Sequence, residues 1–142
     1  MIYRNIAKII VKTIKATNMG QLSFFEGNKD IPFDIKRIYY ITNVPKGVER
    51  GGHAHKHLKQ FIFCPFGKIK LSFDDGCKKE EIILDDPSIG VLIVKPLWRE
   101  MLWLEPNSVL CVAASDYYSE DDYLRDYSSF LEYVGKEKKN NG

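Results

Sequence analysis

Long apolar runs are missing from this sequence. The first twenty residues, MIYRNIAKIIVKTIKATNMG, interrupt their isoleucines with lysines. They offer neither the apolar core of a signal peptide nor the ~20-residue span that a membrane helix needs. Cysteine is scarce: Cys64, Cys77 and Cys111 are odd in number, far apart and without a CxxC pair. That argues against a disulfide scaffold and a structural zinc site, and it fits a reducing cytoplasm. An excess of one charge is missing too. Lysine and arginine number 21 against 19 aspartates and glutamates, and the formal charge of +2 is too small for a nucleic-acid surface. What remains is 44% apolar and 13% aromatic over 142 residues, enough for one globular domain with its own core. The expectation is a single cytoplasmic domain over residues 1–135, with no membrane or nucleic-acid partner. The polar KEKKNNG, residues 136–142, reads as a frayed tail.

Histidine is rare but crowded. His53, His55 and His57 fall within five residues of RGGHAHKHLKQ, residues 50–60, and the apolar FIFCPF follows at once. On a strand, residues of equal parity share a face, so the three imidazoles are expected to point the same way. Imidazole exchanges protons near neutral pH and is also the commonest metal ligand. The cluster therefore points to acid–base chemistry, to metal binding, or to a solvated loop beside a glycine pair.

Short β-rich segments recur at roughly 8–12-residue spacing, the cadence of an all-β sandwich or barrel. NIAKIIVKT, residues 5–13, predicts a first strand, with a turn at Asn18 and Gly20 after it. In FDIKRIYYITNV, residues 33–44, Phe33, Ile35, Arg37, Tyr39 and Ile41 share one parity while Ile38, Tyr40 and Thr42 share the other. Arg37 and Tyr39 are expected to share a face, and Tyr40, of opposite parity, to be a core aromatic. A hairpin is expected around PFG, residues 65–67, and Asp74-Asp75-Gly76 turns the chain again. Strands at EEIIL, VLIVK, PLWREMLWL and VLCVAAS complete the series. Trp98 and Trp103 differ in parity and are expected to pack. Arg99, amid apolar neighbours, demands a partner or a ligand if it is buried. Near the end, Ser119 and Asp122 resemble an N-capping pair, and Tyr123, Tyr127, Phe130, Leu131 and Val134 recur at helical spacing. These predict a terminal helix over residues 120–134, packed through its tyrosines.

A glycine, then HxH, then a polar residue five positions after the second histidine, Gln60, before an apolar strand, resembles the first motif of the cupin superfamily. Cupins are double-stranded β-helices, or jelly rolls. In metal-binding members that motif supplies two histidines and a glutamate, and a second motif supplies a further histidine. Here Gln60 stands in place of the acid and no histidine follows His57. A neutral amide is a poor substitute for a carboxylate around a divalent cation, so neither a metal nor a cofactor is expected. More of the chain resembles one branch, the sugar-nucleotide 3,4-ketoisomerases, metal-free cupins acting on dTDP-4-keto-6-deoxyglucose in deoxyaminosugar biosynthesis. The runs IPFDIKRIYYITNV, RGGHAHK, DDPSIGVLIVKPLWREM and ASDYYSEDDYLRDY carry the likeness, in order, from about residue 3 to about residue 134.

The resemblance implies an all-β cupin jelly roll with a short C-terminal helix, working as a homodimer on a dTDP-linked keto sugar. Moving a ketone from C4 to C3 means removing the C3 proton and returning a proton to C4 through an enediol. The reaction needs a base, a donor for the developing oxyanion and a path for a proton between the two oxygens. His53 matches the family's catalytic histidine and is the expected base. His55 is expected to bond the sugar oxygens or orient the site, and Tyr39 to serve the enediolate oxygen; His57 carries no role. Arg37 and Arg50 are expected on the diphosphate, which guanidinium grips in a bidentate way. Arg99 is expected to seat the sugar, favouring a gluco over a galacto product. A metal-dependent cupin enzyme, a 3,5-epimerase of the same substrate and a non-catalytic sugar-nucleotide binding module are the alternatives.

Overall fold

The computed structural model describes residues 5–141, and for residues 138–141 the backbone alone. Residues 1–4 and Gly142, at the ends of the expected domain and tail, lie outside the described residues. The strands are β1 Ala7–Ile10, β2 Lys12–Ala16, β3 Gly20–Phe24, β4 Arg37–Ile41, β5 Glu49–His55, β6 Gln60–Phe66, β7 Ile69–Asp74, β8 Lys79–Leu84, β9 Ile89–Ile93, β10 Trp98–Trp103, β11 Val109–Ala114 and β12 Tyr123–Leu124. One helix, α1 Tyr127–Asn141, closes the described chain.

Two five-stranded antiparallel sheets face each other, one ordered β1-β9-β6-β11-β4 and the other β12-β5-β10-β7-β8. From β4 to β7, and again from β8 to β11, each successive strand switches sheet, which is the winding of a jelly roll. The fold is the expected all-β roll with a C-terminal helix. Strict alternation builds its core. In β10, Arg99, Met101 and Trp103 are buried while Trp98, Glu100 and Leu102 are not. In β7, Ile69, Leu71 and Phe73 point inward. The inward sets of both sheets, Ile62, Val91 and Val112 from one and Leu71, Met101 and Trp103 from the other, form one apolar cluster. No helix among the described residues is long and apolar enough to cross a membrane.

Local expectations are corrected in four segments. The 5–13 strand is two strands, because Val11 drops into a cluster on the outer face of the first sheet; β1 pairs with β9 and β2 with β3. The 33–44 segment is a strand only over β4. Phe33 and Ile35 instead cover the outer face of the first sheet with Ile31, Phe61 and Ala113. Tyr40 is 69% exposed rather than a core aromatic, because the outer side of β4, an edge strand, has no covering layer. The chain around residues 65–67 is a corner and not a hairpin, since β6 and β7 belong to different sheets. Gly67 makes that corner: its φ is +99°, and a Cβ there would lie 2.1 Å from Ser108 Oγ. The hairpin falls instead between β7 and β8, where Asp74 and Asp75 accept backbone N–H groups of Gly76, Cys77 and Lys78.

The fourth correction concerns the C-terminus. Ser119 makes no side-chain cap, and Glu120–Asp122 form a single 3-10 turn. Tyr123 and Leu124 then pair with His55 and Ala54 as β12. The helix starts later because Asp126 caps it, accepting from Ser129 N at 3.0 Å. It also runs further, through Asn141, into the segment read as a tail. Phe130, fully buried, docks the helix with Ala54, Leu124 and Trp98 on the outer side of the second sheet. Trp103 lies in the core and donates to Ser108 O, so both tryptophans pack as expected.

Candidate active site

The register of β5 against β10 sets the geometry of the histidines. Arg99 lies opposite His53 and Glu100 opposite Gly51, so Gly52 is the extra residue of a bulge. Gly51 has φ +98°, and a Cβ on it would sit 2.9 Å from Arg99 O. Beyond the bulge His53 and His55 share the inward face, with ring centroids 5.2 Å apart. His57 does not join them. It lies past the end of the strand, exposed, because the chain bends there.

Asp122 locks this bend. Its carboxylate accepts the backbone N–H groups of His57 at 2.8 Å and Leu58 at 3.3 Å, and it lies 3.1 Å from His55 Nδ1. Burial first, and then the Arg99 guanidinium and the His53 ring, push the His55 pKa down to about 2. The ring is therefore neutral, and the contact is a hydrogen bond from Nδ1–H to the carboxylate rather than an ion pair. Nε2 is left with its lone pair, buried and without a partner among the described residues. His53 is also neutral at pH 7. Burial, then Arg99 and Arg125, lower its pKa to about 4 against a hydrogen bond with the Gly51 backbone.

Facing them from the other sheet, β4 supplies Arg37 and Tyr39 and β6 supplies Gln60, while β10, next to β5, supplies Arg99 beside them. Arg99 is 2% exposed. It donates from Nη1 to Gln60 Oε1, but its Nε and Nη2 have no partner among the described residues. Burial lowers its pKa to about 10, partly opposed by Tyr39 and Tyr123, so it remains a cation at neutral pH. A buried cation with unused donors is an incomplete arrangement that an anionic ligand would complete. Gln60 Nε2 donates to the Tyr39 hydroxyl at 3.0 Å. Burial raises the Tyr39 pKa despite the nearby guanidinium of Arg99, so the phenol keeps its proton. The Arg37 guanidinium lies 5.3 Å from the Tyr39 ring centre, and its buried Nε has no partner among the described residues.

A cavity of about 420 Å³ opens beside these groups, lined in part by Arg37, His55, Ser115, Tyr117, Asp121 and Tyr123. Tyr123 lies between the site and the surface. Its ring centre is 4.4 Å from that of His55 and 4.1 Å from the Arg125 guanidinium, which in turn pairs with Glu120 through Nε at 2.6 Å and Nη2 at 3.0 Å.

Of the residues singled out in the sequence, the fold gathers His53, His55, Tyr39, Arg37 and Arg99. Arg50 stands apart. The bulge places it opposite Met101, on the same side as Arg99 by register, yet it is exposed. Gln60, Asp122 and Tyr123 were missed as site residues. Asp122 and Tyr123 carry a helix-start pattern in sequence, and nothing local distinguishes a strand that returns to pair with β5. A divalent metal, which cupins often hold, does not fit here. Among the described residues no three His, Cys, Asp or Glu side chains converge as ligands, and both ends of the Gln60 amide are engaged.

Two uncharged imidazoles facing an uncompensated guanidinium inside a jelly roll define a cupin equipped to move protons on an anionic small molecule. Sequence comparison narrows that class. The chain belongs to the FdtA family, whose model, described as "WxcM-like, C-terminal", matches residues 4–135. A protein of Aneurinibacillus thermoaerophilus, TDP-4-oxo-6-deoxy-alpha-D-glucose-3,4-oxoisomerase, is 44% identical over 117 residues, covering 82% of this chain and 84% of that protein. The crystal structure of QdtA, a sugar 3,4-ketoisomerase from Thermoanaerobacterium thermosaccharolyticum in complex with TDP, superposes with a TM-score of 0.90. It is 43% identical and covers 96% of this chain and 98% of its own. A histidine-to-asparagine mutant of QdtA in complex with TDP-4-keto-6-deoxyglucose matches with a TM-score of 0.89 at 43% identity, covering 96% of this chain and 97% of its own.

Proposed function

We propose that this protein is a 3,4-ketoisomerase that moves the ketone of dTDP-4-keto-6-deoxyglucose from C4 to C3 through an enediol, in deoxyaminosugar biosynthesis. The observation that carries the reading is the pairing of His53, neutral at pH 7, with Arg99, a buried cation whose Nε and Nη2 have no partner among the described residues, directly across one strand ladder. A base and an electrophile thus face the same space. His53 removes the proton at C3, the electrons form the C3–C4 double bond, and the charge moves onto O4. The Tyr39 hydroxyl and the free N–H groups of Arg99 stabilise that oxygen. The proton on O3 is transferred to O4, with the lone pair of His55 Nε2 as the acceptor that Asp122 orients. As C3 becomes the carbonyl, the His53 imidazolium returns its proton to C4. Atoms balance without a redox partner, and no step uses a metal or a cofactor.

Arg37, at the cavity wall, and Arg50, exposed on the same side of the register, are the proposed diphosphate contacts. Arg99 also seats the sugar, favouring protonation of the enediol on the face that gives a gluco product. The functional unit spans residues 1–135 and works in the cytoplasm as a homodimer. Ile38 and Tyr40, 53% and 69% exposed on the uncovered edge strand β4, are the proposed contact with the second copy.

Turnover in D₂O, followed by NMR of the product, tests the reading. Deuterium at C4 of a 3-keto sugar, with no added nicotinamide, is the expected result, and the H4–H5 coupling of product made in H₂O reports gluco or galacto. Deuterium at C5 with the ketone still at C4 would replace the proposal with a 3,5-epimerase, and unchanged substrate would replace it with a binding module.

A further inference from the structure

The amide of Gln60 is fully buried and bridges two groups of the site. A guanidinium has only donors, so the end of the amide that meets Arg99 has to be the carbonyl oxygen. The other end, facing the Tyr39 oxygen, is therefore the NH₂ group. That fixes the direction of the whole chain: Arg99 donates to Gln60, and Gln60 donates to the Tyr39 oxygen. The phenol keeps its own proton, since burial raises its pKa, and that proton is left to be given elsewhere. A carboxylate at residue 60 would accept from Arg99 equally well. It has no hydrogen to offer, however, so Tyr39 would have to turn its O–H toward it. The amide thus differs from an acid in this place by the direction in which the tyrosine points its proton.

We propose that Gln60 is a positioning residue that holds Tyr39 as a hydrogen-bond donor toward the substrate oxygen on which charge develops. This rests on the ketoisomerase reading of the site and adds to it the reason an amide occupies the position. A donor aimed at a developing oxyanion contributes about 10²–10³ in kcat. Reversing its direction removes that contribution while leaving the side-chain volume and the hydrogen bond from Arg99 in place.

The test is a double-mutant cycle on the full-length protein with Gln60→Glu and Tyr39→Phe. Gln60→Glu is expected to lower kcat about 10²-fold with KM nearly unchanged. Tyr39→Phe should lower it to a similar degree, and the double variant should be no slower than the slower single one. A residue that merely supported the fold would instead give losses that multiply, or a change confined to KM, and either result overturns the proposal. So does a Gln60→Glu variant with wild-type kcat beside an impaired Tyr39→Phe. Wild-type turnover by Tyr39→Phe overturns it as well, yet leaves the ketoisomerase reading standing if the wild type still makes the 3-keto sugar; only the absence of that product would remove the reading itself. Should Gln60→Glu fail to fold, Gln60→Met, which removes the N–H that fixes the Tyr39 oxygen without drawing its proton inward, carries the same cycle with a smaller expected loss of kcat.

Discussion

His53 and His55 are two residues apart on one strand, yet their surroundings give them different tasks. Asp122 holds one ring nitrogen of His55, whereas His53 sits opposite Arg99 in the ladder. Replacing His53 with asparagine keeps the approximate size and removes the proton acceptor. Turnover should fall by ~10²–10⁴-fold, with nucleotide affinity, measured by calorimetry, retained; His57→Asn, altering an exposed side chain, should be nearly silent. The pH dependence follows from the same burial. A histidine whose pKa is lowered from 6.5 to about 4 is unprotonated, and so competent as a base, down to that pH. The acid limb of kcat/KM, which reports the free enzyme, should therefore lie near pH 4; a limb at pH 6.5 or above would show that the base is another group. The sign for stability is the reverse of that for a salt-bridged histidine. Between about 6.5 and 4 the unfolded chain binds a proton that the folded one refuses, so stability falls as the pH drops through that window.

At the scale of the element, the bulge in β5 is the device that turns sequence into a site. Gly51→Ala would place a methyl group 2.9 Å from Arg99 O at a φ of +98°, forcing β5 away from β10 and His53 away from Arg99. The expected cost is on the order of 1–3 kcal/mol in denaturant unfolding, with a larger proportional loss of kcat; a variant equal to wild type in both would mean that the register tolerates the shift. The alternation in β7, where Lys70 and Ser72 separate Ile69, Leu71 and Phe73, was plain in the sequence because burial on one face imposes a period of two. The corner at Gly67 was not, because alternation up to a turn is the same whether the chain folds back within a sheet or crosses to the other one. Tyr123 was misread for a related reason. Spacings of three and four with Tyr127 and Phe130 fit a helix, while the pairing that makes Tyr123 a strand residue comes from β5, far away in the chain. Among the candidate site residues, the clustering of His53 and His55 and the place of Arg99 amid apolar neighbours were legible in the sequence, while their roles came with the family resemblance. Asp122 was not, since an aspartate near a helix start has an ordinary local explanation.

For the whole molecule, two properties can be measured directly. Dialysis against a strong chelator should leave turnover intact, because both ends of the Gln60 amide are committed to Arg99 and Tyr39; activity lost and then restored by one divalent metal would contradict this. Tyr40→Lys, placing a charge on the exposed outer side of β4, should shift the sedimentation profile from dimer toward monomer; an unchanged profile would move the subunit contact elsewhere. The switching of strands between the two sheets also has a consequence in time. Almost every neighbour in the roll is distant along the chain: β4 meets β11, β5 meets β10 and β1 meets β9. The entropy of closing these long loops is lost before the contacts they permit can form, which places such topologies among the slower folders, on the order of milliseconds to seconds. Arg99, on β10, and Asp122, in the turn before β12, are synthesised well after the histidines of β5. A growing chain that has already made both imidazoles therefore carries them as bare side chains, and their lowered proton affinity arises only when the roll closes.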